Sequence, residues 1–205
     1  MEYPSVTLGR VEAVWNKLGG EEGVDRFLRG ELAVAEPIRS WQERDGVIYF
    51  TVTSDGTSGE EWIARLERKG LRFSKYAKDV LRSSKFKPTN GVTTDVAVLK
   101  GMLWSDDQRI TSNIRADAER RKFTKPNAEV ACLIREKFSD EEIEAMGLIW
   151  LVTMHEPIAD SGGDLSLLGA SRRDVGRWLL TCDVRPGLGW GRDCGFAVAV
   201  AQVSA

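Results

Sequence analysis

Apolar residues recur at helical spacing through the first part of the chain. In "RVEAVWNKLGG" Val11, Val14, Trp15 and Leu18 fall on one stripe, and the closing glycines accept a left-handed cap. "EEGVDRFLRG" repeats the form with Val24, Phe27 and Leu28. "GVIYFTVTSDG" is rich in β-formers and ends in a turn, so it predicts a strand. "SGEEWIARLERKG" predicts a helix: Ser58 and Glu61 have capping-box spacing, Trp62, Ile63 and Leu66 form the stripe, and Gly70 stops it. "SKYAKDVLRSS" predicts a shorter helix, and "KFKPTNG" a loop and a boundary near residue 90.

The pattern then changes. "VTTDVAVLKG" alternates as a half-buried strand should, with Val92, Thr94, Val96 and Val98 on one face. "SDDQRITSNIRADAERR" predicts a helix begun by Ser105 and Gln108, with Ile110, Ile114 and Ala118 inward. "TKPNAEVACLIREKF" predicts another, with Pro126 near its first turn and Val130, Leu133, Ile134 and Phe138 inward. A third short helix starts at the capping pair Ser139 and Glu142 and stops at Gly147. "LIWLVTMHEPI" is an uninterrupted apolar run, which predicts a buried central strand. Loops come next, and "GFAVAVAQV" predicts a last strand through Phe196, Val198, Val200 and Val203. Helices and strands of this order make an α+β protein.

Composition narrows the function classes. The 205 residues suit one ordinary domain, or a small domain with an elaboration. A formal net charge of −2 gives no footprint for nucleic acid. No apolar run reaches the ~20 residues of a membrane span. "MEYPSVTLGRVEAVW" lacks a basic region followed by an apolar core, so no signal peptide is expected and the default compartment is the cytoplasm. Cys132, Cys182 and Cys194 form no disulfide framework; Cys182 and Cys194 read as free small hydrophobes, though the two could lie close in space.

The candidate chemistry is sparse. His155, the single histidine, reads as a partly buried histidine bonded to backbone, because it has no metal partners at ligand spacing. The alternative is a general base beside Glu156, for which no nucleophile is evident. Glu156, Asp160 and Asp164 could hold calcium in a loop, but the ligand rhythm is absent and solvated carboxylates fit better. "GLGWGRDCG" precedes a strand instead of opening a helix, so it is no phosphate cradle. No catalytic residue, metal site or cofactor is expected.

The tail has its own composition. Lysine last occurs at Lys137 and glutamate at Glu156. Residues 171 to 195 hold no Lys, Glu, Gln or Met, where the chain's usage would give roughly four. Loops and strands favour other residues, which explains part of this. Val175, Leu180, Val184 and Leu188 follow neither period two nor period 3.6, and Gly176, Pro186, Gly187, Gly189 and Gly191 surround them. They are therefore expected on surface turns, as a binding face.

"RRKFTKPNAEVACLIR" resembles the second-helix signature of the formylglycine-generating-enzyme branch of the C-type-lectin-like fold, carried by Pro126, Ala128, Glu129 and Arg135 with one residue fewer between proline and alanine. "GRWL", "RP", a tryptophan and the terminal "GFAVAV" are similar to the closing segment of that branch. The whole chain also resembles uncharacterised bacterial hypothetical proteins, which implies no activity. The first resemblance implies a C-type-lectin-like domain over residues 92–205, preceded by a mainly helical region over residues 1–91. It further implies one of two functions. The first is the variable protein of a diversity-generating retroelement, a ligand-binding protein whose C-terminal face is randomised at adenines, at codons that cannot become Lys, Glu, Gln, Met or Trp. The second is an enzyme of the formylglycine-generating kind, whose catalytic cysteines have no clear counterparts here. An orphan protein-interaction module is a third alternative. Calcium-dependent sugar binding is not implied, because Glu156-Pro157 is followed by Ile158, not by an asparagine ligand.

The first of these functions assigns ligand contacts to Arg173, Val175, Leu180, Thr181, Asp183, Val184, Arg185, Leu188 and Cys194. The partner would be a protein or surface ligand, with no nucleic acid and no membrane insertion. The apolar members, with Thr181, Asp183 and Cys194, are expected to be open to solvent on one face, with Arg173 and Arg185 at its rim. Trp178 and Trp190 are expected as scaffold, mostly buried against the "LIWLVTM" strand.

Overall fold

The computed structural model describes residues 7–33, 39–173 and 176–201. The chain divides into two compact units, residues 1–39 and 40–205.

The first unit is a helical hairpin of α1 (Leu8–Leu18) and α2 (Gly20–Leu28). Gly19 ends α1 at φ 93°, a conformation that glycine takes without strain. The apolar stripe read from the sequence is present but stays open: Val11, Val14, Trp15, Phe27 and Leu28 are all exposed.

In the second unit, β1 (Gln42–Arg44) and β2 (Val47–Asp55) precede α3 (Gly59–Arg68), β3 (Arg72–Phe73) and α4 (Lys75–Arg82). The long strand β4 (Asn90–Lys100) leads to α5 (Thr111–Arg120), β5 (Phe123–Thr124), α6 (Val130–Lys137) and α7 (Asp140–Ala145). Strands β6 (Trp150–Thr153), β7 (Ile158–Ala159), β8 (Leu165–Arg173), β9 (Gly176–Asp183) and β10 (Cys194–Val200) complete it. Among the described residues these make one ten-stranded sheet in the order β1-β2-β4-β10-β6-β8-β9-β3, with β5 beside β10 and β7 beside β8. Strand β10 lies antiparallel to β4 and parallel to β6, so the mixed sheet is closed at its centre by the last strand. The protein is thus a mixed α/β protein.

Period-two alternation sends side chains to two cores. Val96, Val98, Leu151, Leu168, Leu179 and Ala197 face helices α3, α4, α6 and α7 with Trp62, Leu66, Val80, Ile134 and Phe138. Ala97, Leu99, Val152, Leu167, Cys182, Cys194, Phe196 and Val198 face α5 with Ile114 and Ala118. Both capping boxes read from the sequence form, Ser58 with Glu61 and Ser139 with Glu142. "LIWLVTM" is central as expected, though its strand is only Trp150–Thr153.

Three expectations are corrected. The boundary near residue 90 falls at the start of β4, and β2 pairs with β4 from Val47↔Leu99 to Asp55↔Asn90. Residues 40–91 therefore belong to the same sheet as the later strands, because β2 covers an edge that β4 would otherwise leave unpaired. Helix α5 starts at Thr111 instead of Ser105, whose hydroxyl bonds Asp107 within a turn. The tail is less loop-rich than its pattern suggested: β8 and β9 pair from Ser166↔Asp183 to Arg173↔Gly176, which puts Leu180, Thr181 and Asp183 on a strand. The last strand ends at Val200, and Val203 lies outside the described residues.

Phe196 is fully buried at the centre of the second core, against Trp104 and Trp190 at ring distances of 5.9 and 5.4 Å. Phe196→Ala is expected to lower unfolding stability by about 3–5 kcal/mol, read by chemical denaturation. A loss below about 1 kcal/mol would mean that β10 does not carry this core.

Candidate functional site

Among the described residues the second face of the sheet carries one α-helix, α5, a 3-10 turn at Gly101–Leu103 and irregular chain. Irregular chain over a core exposes carbonyls with no ladder partner, and these must be satisfied. Arg109, only 4% exposed, does this. Its Nε donates to the Gly101 carbonyl at 2.7 Å, Nη2 to the Trp104 carbonyl at 2.9 Å, and Nη1 to the Trp190 carbonyl at 3.3 Å. Asp106 pairs with Nη2 at 2.8 Å and supplies the countercharge. The Trp190 amide donates back to the Arg109 carbonyl at 3.0 Å.

The 184–193 loop in turn completes α5. The helix has no side-chain cap at Ile110. The Leu188 carbonyl accepts from the Thr111 amide at 3.1 Å and the Pro186 carbonyl from the Ser112 amide at 2.9 Å. The Trp190 indole donates to the Thr111 hydroxyl at 3.0 Å. First-turn donors that sequence reasoning assigned to Ser105 are thus met by a loop some eighty residues away along the chain. Close approach is needed too: a Cβ on Gly101 would lie 2.6 Å from the Gly191 carbonyl oxygen.

This loop and β9 bound an open groove of about 440 Å³, lined chiefly by Trp150, Thr181, Asp183, Leu188, Trp190 and Asp193. Cys182 and Cys194 form part of its lining. Trp150 and Trp190 meet edge to face with ring centroids 6.3 Å apart. A Cβ on Gly169 would stand 2.6 Å from the Trp150 indole nitrogen and 3.1 Å from the Cys182 sulfur, so glycine is required beneath that tryptophan. Asp183 accepts the Arg185 amide at 2.8 Å and pairs with its guanidinium. The backbone bond, then the side-chain bond, hold the Asp183 carboxyl below its ordinary range.

Of the nine expected contact residues, Thr181, Asp183, Leu188 and Cys194 line the groove. Arg185 is exposed beside it, paired to Asp183. Val175 lies outside the described residues, and Arg173 closes β8 with its side chain outside them. The expectation of one solvent-open face is corrected in four respects. Cys194 is 5% exposed, because the alternation of β10 aligns it with Phe196 and Val198 in the second core. Val184 packs partly against the same core. Leu180, Thr181, Asp183 and Leu188 are half-buried, not open. Alternation along β9 also puts Leu180 on the face of Cys182, opposite Thr181 and Asp183. Of the two scaffold tryptophans, Trp190 meets Trp150 of β6 as expected, though half-buried. Trp178 does not, because β8 separates its strand from β6; its ring lies under the Arg72 guanidinium at 5.7 Å. Sequence reasoning missed Arg109, whose partners are distant backbone carbonyls that no spacing rule reveals.

The other candidate residues take structural roles. His155 is 1% exposed; its Nε2 accepts the Leu168 amide at 2.9 Å, which leaves Nδ1 to donate to the Glu156 carbonyl at 2.7 Å. Burial lowers its pKa from 6.5 to about 4. Burial also raises the thiols of Cys132, Cys182 and Cys194. Asp160 turns its own loop by accepting the Gly162 and Asp164 amides. Among the described residues no group of three or more His, Cys, Asp or Glu is placed to hold a metal ion.

Arg109→Met strands three carbonyls and is expected to lower stability by about 3 kcal/mol or more, with a change in tryptophan emission. A change within about 0.5 kcal/mol would show that the loop holds without it. For His155, the unfolded chain takes up a proton near pH 6.5 while the folded chain resists until about pH 4. Its contribution is therefore complete above pH 6.5 and is lost as pH falls toward 4, by up to about 3 kcal/mol. Melting curves from pH 7 to 4 should fall less steeply for His155→Asn than for the unsubstituted chain; parallel curves would exclude this linkage.

No family model, no curated protein and no solved structure matches the chain.

Proposed function

We propose that this chain is a ligand-binding protein whose ligand occupies the groove between β9 and the 184–193 loop, and that its sheet unit is C-type-lectin-like, of the formylglycine-generating-enzyme branch. The observation that carries the binding reading is the groove itself: an aromatic pair, Trp150 and Trp190, beside Thr181, Asp183 and Leu188, on a loop pinned to α5. A pinned loop loses little entropy on binding, which favours affinity. The fold reading is supported by chain order: β4, three helices, β6, the β8–β9 hairpin and β10, with the first and last of these strands adjacent and antiparallel. Burial favours the protonated form of both groove thiols, which argues for binding over thiol chemistry.

The finer form of the reading is a retroelement variable protein. In that form the varied positions are Thr181, Asp183, Arg185 and Leu188, while Val184 and Cys194 serve the scaffold. A library randomised at those four positions should give mostly folded members, with melting temperatures within a few degrees of the parent. It should also yield binders to an arbitrary protein probe such as lysozyme. Widespread unfolding would overturn the binding-face reading. The retroelement itself predicts a near-copy of codons 171–195 nearby in the genome, differing at adenines and beside a reverse transcriptase gene; its absence would remove that form alone.

A further inference from the structure

A second, smaller cavity of about 110 Å³ lies between α5, β5 and β10. Its walls are mainly apolar, from Ile114, Ala118, Phe123, Met154 and Val198, and Arg115, Glu119, Thr124 and Lys125 complete the lining. Arg115 is half-buried, and its Nε and Nη2 are closed off from solvent without a hydrogen-bond partner. Unpartnered guanidinium donors beside apolar wall are costly. Arg115 acts electrostatically on Glu156, but Lys125, also at the cavity, already pairs with that carboxylate. Glu119, the other acid at the cavity, is exposed.

We propose that this cavity binds a small monocarboxylate with a short apolar tail. The carboxylate takes the Nε–Nη2 edge of Arg115, after a turn of the guanidinium toward the cavity, and the tail lies against Met154, Phe123 and Val198. The guanidinium fork matches a carboxylate in two parallel bonds. A volume of about 110 Å³, below the ~150 Å³ that holds benzene, limits the tail to about five carbons. A dianion such as phosphate would need a second free cation, and Lys125 is engaged.

The probe is hexanoate, titrated into the full chain and followed by melting temperature and by nuclear Overhauser effects from the tail to the Met154 methyl. Hexanoate should raise the melting temperature and show those contacts, while hexanol, acetate and phosphate should do neither at equal concentration. Arg115→Gln should weaken hexanoate at least about tenfold. Ala118→Leu, which fills the cavity, should abolish binding. Equal binding of hexanol, or unchanged binding by Arg115→Gln, would overturn the carboxylate assignment. Equal effects of acetate or phosphate would reduce it to general anion binding. Absence of contacts to Met154 at about 10 mM hexanoate would overturn the site. If Ala118→Leu fails to fold, Arg115→Gln and the hexanol comparison decide. The groove beside β9 shares none of these residues, so failure here leaves the proposed function untouched.

Discussion

The guanidinium of Arg109 is the contact on which the second face of the sheet depends. The second half of β4 and most of β10 are buried on both sides, so both sides must be covered there. Helices α3, α4, α6 and α7 cover one side with their backbone bonds satisfied internally. Among the described residues the other side has α5 as its one α-helix, completed by the 3-10 turn at Gly101–Leu103 and irregular chain at 104–110 and 184–193. Such chain can close a core only if its carbonyls find donors. Arg109 serves three of them from one planar fork, and charge makes each bond stronger than a neutral one. The loop repays α5 with two carbonyls for its first turn, so helix and loop order each other.

This arrangement divides the tail by role. Positions whose side chains enter the second core, Cys194 and in part Val184, are fixed by packing that registers the loss of a single methylene. Thr181, Asp183 and Leu188 line the groove, and Arg185 stands beside it, paired to Asp183. The missing lysine and glutamate have two sources. Strand β9 is half-buried and holds Arg177 as its one long charged side chain, while the tight loop takes Gly, Pro and Arg for its turns and its Asp183 pairing. Burial alone thus explains part of what the composition suggested about display.

Near the end of β6, two cationic side chains that could titrate or pair behave differently. His155 is kept neutral by burial, and its two ring nitrogens stitch the turn after β6 to β8. Arg115 acts electrostatically on His155, and its Nε and Nη2 have no hydrogen-bond partner. The histidine that drew attention in the sequence is a strut, whereas the arginine that did not stand out has two donors without partners.

The sequence by itself determined the elements whose signals are local. Both capping boxes, the stripes of α3 and α6 and the central place of "LIWLVTM" were legible, because period and caps depend on residues within a few positions of each other; β4 was legible as a strand, but not that its first half is exposed and its second half buried on both faces. The backbone role of His155 was legible for a similar reason: a lone histidine without ligand spacing has few other uses. Only the tertiary structure decided where the second unit begins, since pairing of β2 with β4 joins residues some forty positions apart. It also decided the start of α5, whose caps come from Pro186 and Leu188, and the burial of Cys194. The groove was half legible. Thr181, Asp183 and Leu188, which the resemblance assigned to a binding face, line it, but Trp150, Asp193 and the Arg109 support were not foreseen. A hydrogen bond to a distant carbonyl leaves no periodicity in the sequence, because every residue type supplies the same carbonyl.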